Sequence, residues 1–135
     1  MKLAVLTIVA LALAGSALAS SGLKSATITI RHETHGCHSW SLNGTSWGAR
    51  QTLSVARGST LAVVDNDVMP HKLIQVSGPK ATIAHNAMQH MHATAYVGFA
   101  ARGTYVFTTK AGEDYMQGIK TTGADNALRL VVKVS

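Results

Sequence analysis

The stretch "HETHGCHSW", residues 32–40, holds His32, His35, His38 and Cys37, the only cysteine of the chain. Imidazole and thiolate are the side chains from which proteins build zinc and copper sites, so the first chemistry this spacing raises is metal binding. The same residue types recur further along. His71 follows Met69 and Pro70, and "HNAMQHMH" (85–92) carries His85, Met88, His90, Met91 and His92. Mixed thioether and imidazole suits copper, Cu(I) above all, by ligand softness. "KAGEDYMQGIK" (110–120) adds Met116. "HETH" lacks the two-residue spacing of a zinc-protease helix, and neither a Ser-His-Asp order nor a glycine-rich phosphate loop is present. Glu113 and Asp114 read as solvated loop acids, and Trp40 and Trp47 as covers of the core or of the site.

The elements that position these residues read as short β-strands. "ATITI" (26–30) alternates and is β-branched, and "QTLSVARGSTLAVVDND" (51–67) reads as two strands around a turn at Ala56–Ser59. Gly58 supplies the positive φ such a turn requires. "HKLIQV" (71–76), "ATAYVGF" (93–99), "GTYVFTT" (103–109) and "ALRLVVKV" (127–134) follow, with "AARG" as a tight hairpin. Residues 79–92 leave room for a helical turn, and alternation would place His90 and His92 on one strand face. The reading is a single all-β Greek-key sandwich over residues 20–135. Counting strands up and down as antiparallel neighbours places alternate loops at one end. All histidines, Cys37 and Met69, Met88, Met91 and Met116 then fall at that end, and the opposite turns contain none of them.

Met1-Lys2, an apolar run from Leu3 to Ala14 and "GSALASS" have the order of a secretory leader. Ala17-Leu18-Ala19 is a small-residue cleavage pattern, so residues 1–19 are expected to leave and the domain to be secreted or periplasmic. The run is too short to span a bilayer. Outside the cytosol cysteines normally pair, and a single one is either a liability or occupied, for instance by a metal. The net charge is +6, but Lys and Arg are scattered and aromatic residues few. That argues against nucleic acid and for solubility, with some attraction to acidic partners.

"VARGSTLAVVDNDVMPHKLIQVSGP" (55–79) and "VGFAARGTYVFTT" (97–109) resemble the cupredoxins, small copper proteins. The resemblance covers about 80 residues and rests on Gly58, "TLAVVDND", Pro70-His71, "KLIQV" and the "GTY" of the last strand pair. It implies a Greek-key sandwich with copper at one end and His71 as its first histidine ligand. The chain departs from the family in the loop after that strand pair. Thr108 or Thr109 stands where the family has cysteine, no histidine follows, and Met116 alone carries over as a weak axial ligand.

The resulting expectation is one copper ion held by His71, Cys37, His38 and His35, with Met116 or Met91 as the soft extra ligand. Cys37 would supply from another loop the thiolate that the last loop lacks. Function is then atypical electron transfer rather than enzymatic catalysis, with a redox protein or a copper donor or acceptor as partner and a monomer as the working form. Two other readings stay open. One is a copper chaperone or scavenger holding Cu(I) through the His/Met segment. The other is a zinc-binding or metal-free interaction module, in which the histidines are solvated, Cys37 is a small buried hydrophobe, and Met88 and Met91 fill the core.

Overall fold

The computed structural model describes residues 22–112 and 127–135. The expected leader and Met116 lie outside the described residues. In chain order the strands are β1 (Leu23–His32), β2 (His38–Leu42), β3 (Trp47–Gly48), β4 (Arg50–Asn66), β5 (His71–Ser77), β6 (Thr82–Ala84), β7 (Ala87–Met88), β8 (Thr94–Gly98), β9 (Gly103–Ala111) and β10 (Arg129–Val134). Among the described residues no helix is long and apolar enough to cross a membrane.

β4 ties two layers together. Its first part pairs in parallel with β10, from Arg50 at Arg129 to Val55 at Val134. Its second part lies between β1, parallel, and β8, antiparallel. One layer is therefore β3-β2-β1-β4-β8-β6 and the other β4-β10-β9-β5-β7. Gln51 donates to the Trp40 carbonyl (2.8 Å) towards the end of β1 that carries His32, while Val55 pairs with Leu23 at the opposite end. The chain thus descends in one layer, turns at 56–59 with Gly58 at φ 80°, and returns in the other. The expected turn is there, inside one unbroken strand whose partners change.

Three expectations need correction. The sandwich is mixed rather than antiparallel, because β4 runs parallel to both β1 and β10. "AARG" is not a hairpin: β8 pairs with β4 and β6, whereas β9 pairs with β10 and β5, so the segment crosses between layers. The Tyr105 hydroxyl, donating to the Ala101 carbonyl at 2.7 Å, pins that crossing. Residues 79–92 hold β6 and β7 instead of a helical turn, and His90 and His92 lie in the turn that follows, not on a strand face.

Period-two alternation sends one row of each strand inward. β1 contributes Ala26, Ile28 and Ile30, β4 Leu61 and Val63, β8 Ala95 and Val97, β9 Tyr105 and Phe107, and β10 Leu130 and Val132. At one end these rows stop being apolar. After Ile28 and Ile30 the β1 row reaches His32. On β2 it reads Leu42, Trp40, His38, in register with Ile28, Ile30 and His32. On β4 it passes from Leu61 and Val63 to buried Asp65, and on β5 from Leu73 to buried His71. Ionisable side chains at core positions are rare unless they are paired, so four rows ending this way together mark a built polar site.

Candidate metal centre

Two loops shape the site. The first joins β1 to β2 and is closed by the Glu33 N–H on the Cys37 carbonyl (2.8 Å) and the His38 N–H on the Gly36 carbonyl (2.7 Å). Gly36 and Cys37 both adopt left-handed backbone, φ 76° and 67°. That conformation costs a cysteine of the order of 1 kcal/mol and glycine far less. Glu33 braces the loop by accepting from the Ser39 hydroxyl and from Arg31 Nε (2.7 Å). These bonds, the Ser39 hydroxyl foremost, hold its carboxyl below the usual range. Arg31 in turn lies 4.0 Å over the Trp47 ring. The result fixes His38 opposite His32, on the inward face.

The second loop, 66–70, is made of two aspartate turns in tandem. Asp65 Oδ1 accepts from the Asp67 N–H (2.9 Å), and Asp67 Oδ1 from the Met69 N–H (3.0 Å), the i to i+2 bond that short carboxylates favour. The loop is tied to the end of β9 by the Gly112 N–H on the Pro70 carbonyl (2.7 Å). A Cβ on Gly112 would lie 2.6 Å from Pro70 Cγ, so this approach requires glycine.

The loops bring Asp67 among three imidazoles. Its Oδ2 lies 3.3 Å from His38 Nδ1 and 3.1 Å from His71 Nε2, and its Oδ1 lies 3.4 Å from His32 Nδ1. The His38 and His71 rings meet edge to face, centroids 4.9 Å apart. His71 Nδ1 stands 3.2 Å from the Thr109 hydroxyl. In the neutral tautomer that satisfies both contacts, Nδ1 accepts from Thr109 and Nε2–H donates to Asp67. Burial alone would raise the Asp67 pKa. The hydrogen bonds from His38 and His71, then the Met69 amide, outweigh it and hold the carboxyl well below the usual range. Asp65, buried with Oδ2 in no hydrogen bond, goes the other way: burial pushes it up to about 6, against the pull of the Asp67 and His71 backbone amides.

One ligand atom each from His38, Asp67 and His71 lies within 4.8 Å of the others, all three residues buried. Two imidazoles and a carboxylate are a donor set that Cu(II) and Zn(II) take. Neither ring nitrogen of His32 is in a hydrogen bond, which leaves a further nitrogen donor beside the group. The residues present therefore fit a divalent transition metal.

Of the residues expected as ligands, the structure brings His38 and His71 together. Cys37 is buried next to them, but its Sγ is not part of the three-atom group and lies 3.4 Å from Met69 Sδ. His35 is exposed at the tip of its loop, with its Nδ1 3.5 Å from the Thr34 hydroxyl. Met91 is 40% exposed in the turn after β7. Met88, paired with His71 across β5 and β7, is the thioether that shares the inward face. Asp67 is the residue that sequence reasoning passed over. Its mark was parity: it prolongs the inward row of Leu61, Val63 and Asp65, where a solvated acid does not belong. Thr109, one of two residues at the place of the family's cysteine, is the one that touches His71.

No known family model matches the sequence, and no curated protein matches it. Solved structures similar to the chain include a multicopper oxidase at 18% identity and TM-score 0.49, covering 84% of this chain and 42% of that one. A mutant of amicyanin with Cu(I) is 14% identical, TM-score 0.42, over 81% of this chain and 82% of that one. A cysteine protease inhibitor from Entamoeba histolytica is 10% identical, TM-score 0.42, over 84% and 100%. The chain thus spans less than half of the oxidase. These are loose likenesses of fold that carry no activity over to this chain, and the all-β sandwich rests on the strand order described above.

Proposed function

We propose that the chain is an exported metal-binding protein that holds one copper ion at His38, Asp67 and His71, with His32 beside them. The observation that carries this reading is the group of three buried donors within 4.8 Å, contributed by β2, the 66–70 loop and β5. Zinc fits the same donors, and the resemblance read in the sequence is what favours copper. When bound, copper supplies one-electron exchange between Cu(II) and Cu(I). His38 and His71 would hold it, Asp67 would balance its charge, and Thr109 would fix the His71 ring through Nδ1, as second partners do for metal-binding imidazoles. A surface recess of about 240 Å³ lined by Pro70, His71, Lys72, Gln89 and Lys110 lies over this end of β5, with the His71 side chain itself fully buried beneath it. The role that follows is electron transfer or copper handling, not turnover of a substrate.

A second reading is favoured by the sulfur pair: Cys37 and Met69, both buried and 3.4 Å apart, are soft donors suited to Cu(I). Metal titration of the purified chain separates the two. The first predicts one Cu(II) per chain and loss of binding in His71→Ala. The second predicts tight Cu(I) binding that Met69→Leu and Cys37→Ser abolish and His71→Ala spares.

A further inference from the structure

The outer face of the layer β4-β10-β9-β5 carries like charges in direct apposition. Arg50 is the register partner of Arg129 on neighbouring parallel strands, and Lys72 that of Lys110 across β5 and β9. All four side chains are exposed. Directly opposed like charges destabilise a sheet, and a face that keeps two such pairs is incomplete without negative charge. Among the described residues nothing on the protein supplies it. Their only carboxylates are Glu33, held by Arg31 and Ser39, and the buried Asp65 and Asp67. Lys133, on the same side of β10 as Arg129, adds a fifth cation.

Beside the cations the face carries apolar side chains with threonines among them. Ile74 is 36% and Val76 56% exposed, Val106 and Val131 are register partners facing the same way, and Thr108 and Thr52 are the register partners of Ile74 and Val131. A recess of about 260 Å³ opens there, lined by Val76, Val106, Thr108 and Leu128 together with Arg50 and Arg129. An apolar centre inside a charged rim is the anatomy of a protein–protein interface. Among the described residues no aromatic side chain is exposed on this face to stack a base or anchor in a lipid headgroup layer, which sets it apart from nucleic-acid and membrane surfaces.

We propose that this face docks an acidic protein surface with an apolar centre, its carboxylates seated over the Arg50–Arg129 and Lys72–Lys110 pairs. The Lys72–Lys110 pair also lines the recess beside His71, so a partner seated here lies close to the candidate metal centre. The proposal stands on charge and register and does not depend on which metal is bound.

The test is titration of the full ¹⁵N-labelled chain with a synthetic peptide of alternating Glu and Leu, with its Gln/Leu counterpart, and with phosphatidylglycerol/phosphatidylcholine vesicles. Saturable binding of the Glu/Leu peptide alone is expected, with amide shifts confined to β5, β9, β10 and the first part of β4. A Lys110→Glu/Arg129→Glu variant should bind at least tenfold more weakly. It should also melt no lower than the wild type, because each reversal turns a repulsive cross-strand pair into an attractive one. Shifts spread equally over Lys24, Lys80 and Arg102, or vesicles bound more tightly than the peptide, would overturn the proposal. So would binding that appears only when Glu113→Gln/Asp114→Asn removes the chain's own acidic segment.

Discussion

His38 and His71 lie on different layers of the sandwich, yet both present a ring nitrogen to the same oxygen, Asp67 Oδ2, at 3.3 and 3.1 Å. One buried carboxylate oxygen therefore sets the separation of the two imidazoles. Asp67 is itself aimed by the tandem turns of the 66–70 loop, so the geometry of the centre is fixed by backbone amides before any ion arrives.

Removing the charge of Asp67 should loosen both rings. Asp67→Asn keeps the volume but replaces an acceptor oxygen with an amide. Breaking one partner of a buried charged network costs about 3 kcal/mol. A clearly lower melting temperature is expected, together with at least a tenfold loss of Cu(II) affinity in competition titration. An unchanged melt would show that the carboxylate does not organise the site.

The two aspartates give opposite pH dependences in the metal-free chain. Asp65 is raised to about 6 from an ordinary value of 3.8, so its contribution is fully present below about pH 4 and is lost as pH rises through 6. By linkage that amounts to roughly 2–3 kcal/mol. Asp67, whose pKa is lowered, contributes above its ordinary value, and that contribution is lost as pH falls below it. Asp65→Asn should flatten the stability profile between pH 4 and 6 and stabilise the chain at pH 7. Chemical denaturation at stepped pH reads this directly, and a profile unchanged by the substitution would refute it.

Thr109 offers a test of ring orientation. Its hydroxyl is 3.2 Å from His71 Nδ1, the ring nitrogen turned away from Asp67. Thr109→Val should free the ring and weaken Cu(II) binding about tenfold, the scale of losing a metal-binding imidazole's second partner. An affinity unchanged by the substitution would show that the hydroxyl does not hold His71 in place.

Gly78 and Gly112 are required for space rather than for catalysis. A Cβ on Gly78, at φ 103°, would overlap the Thr104 carbonyl, and one on Gly112 would press on Pro70. Gly78→Ala should lower stability by about 2 kcal/mol, the scale of a residue forced into strained backbone. Gly112→Ala should displace Pro70-His71 and weaken Cu(II) binding several-fold with a smaller effect on the melt. Equal effects of the two on binding would contradict this division.

Much of this arrangement is legible in the residues. Strand alternation, the reversal at Gly58 and the gathering of His32, His38 and His71 at one end follow from period two and strand counting. The hairpin at "AARG" misleads because a short connection looks the same whether its strands pair or pass between layers. Cys37 is only partly legible, for a different reason. Its place in the loop is visible in the sequence, but the left-handed turn at Gly36-Cys37 that brings its sulfur to Met69 is a backbone choice that residue type does not announce. Asp67 was readable from parity alone, since an acid prolonging the row Leu61, Val63, Asp65 points inward whatever its polarity.

Binding of a copper ion by His38, Asp67 and His71 can be read by electron paramagnetic resonance of the full chain titrated with Cu(II). One equivalent of bound Cu(II) is expected, with nitrogen coupling from two imidazoles. That coupling should be reduced in His38→Ala, and the bound ion lost in His71→Ala. Absence of stoichiometric binding, or a signal unchanged by either substitution, would contradict it.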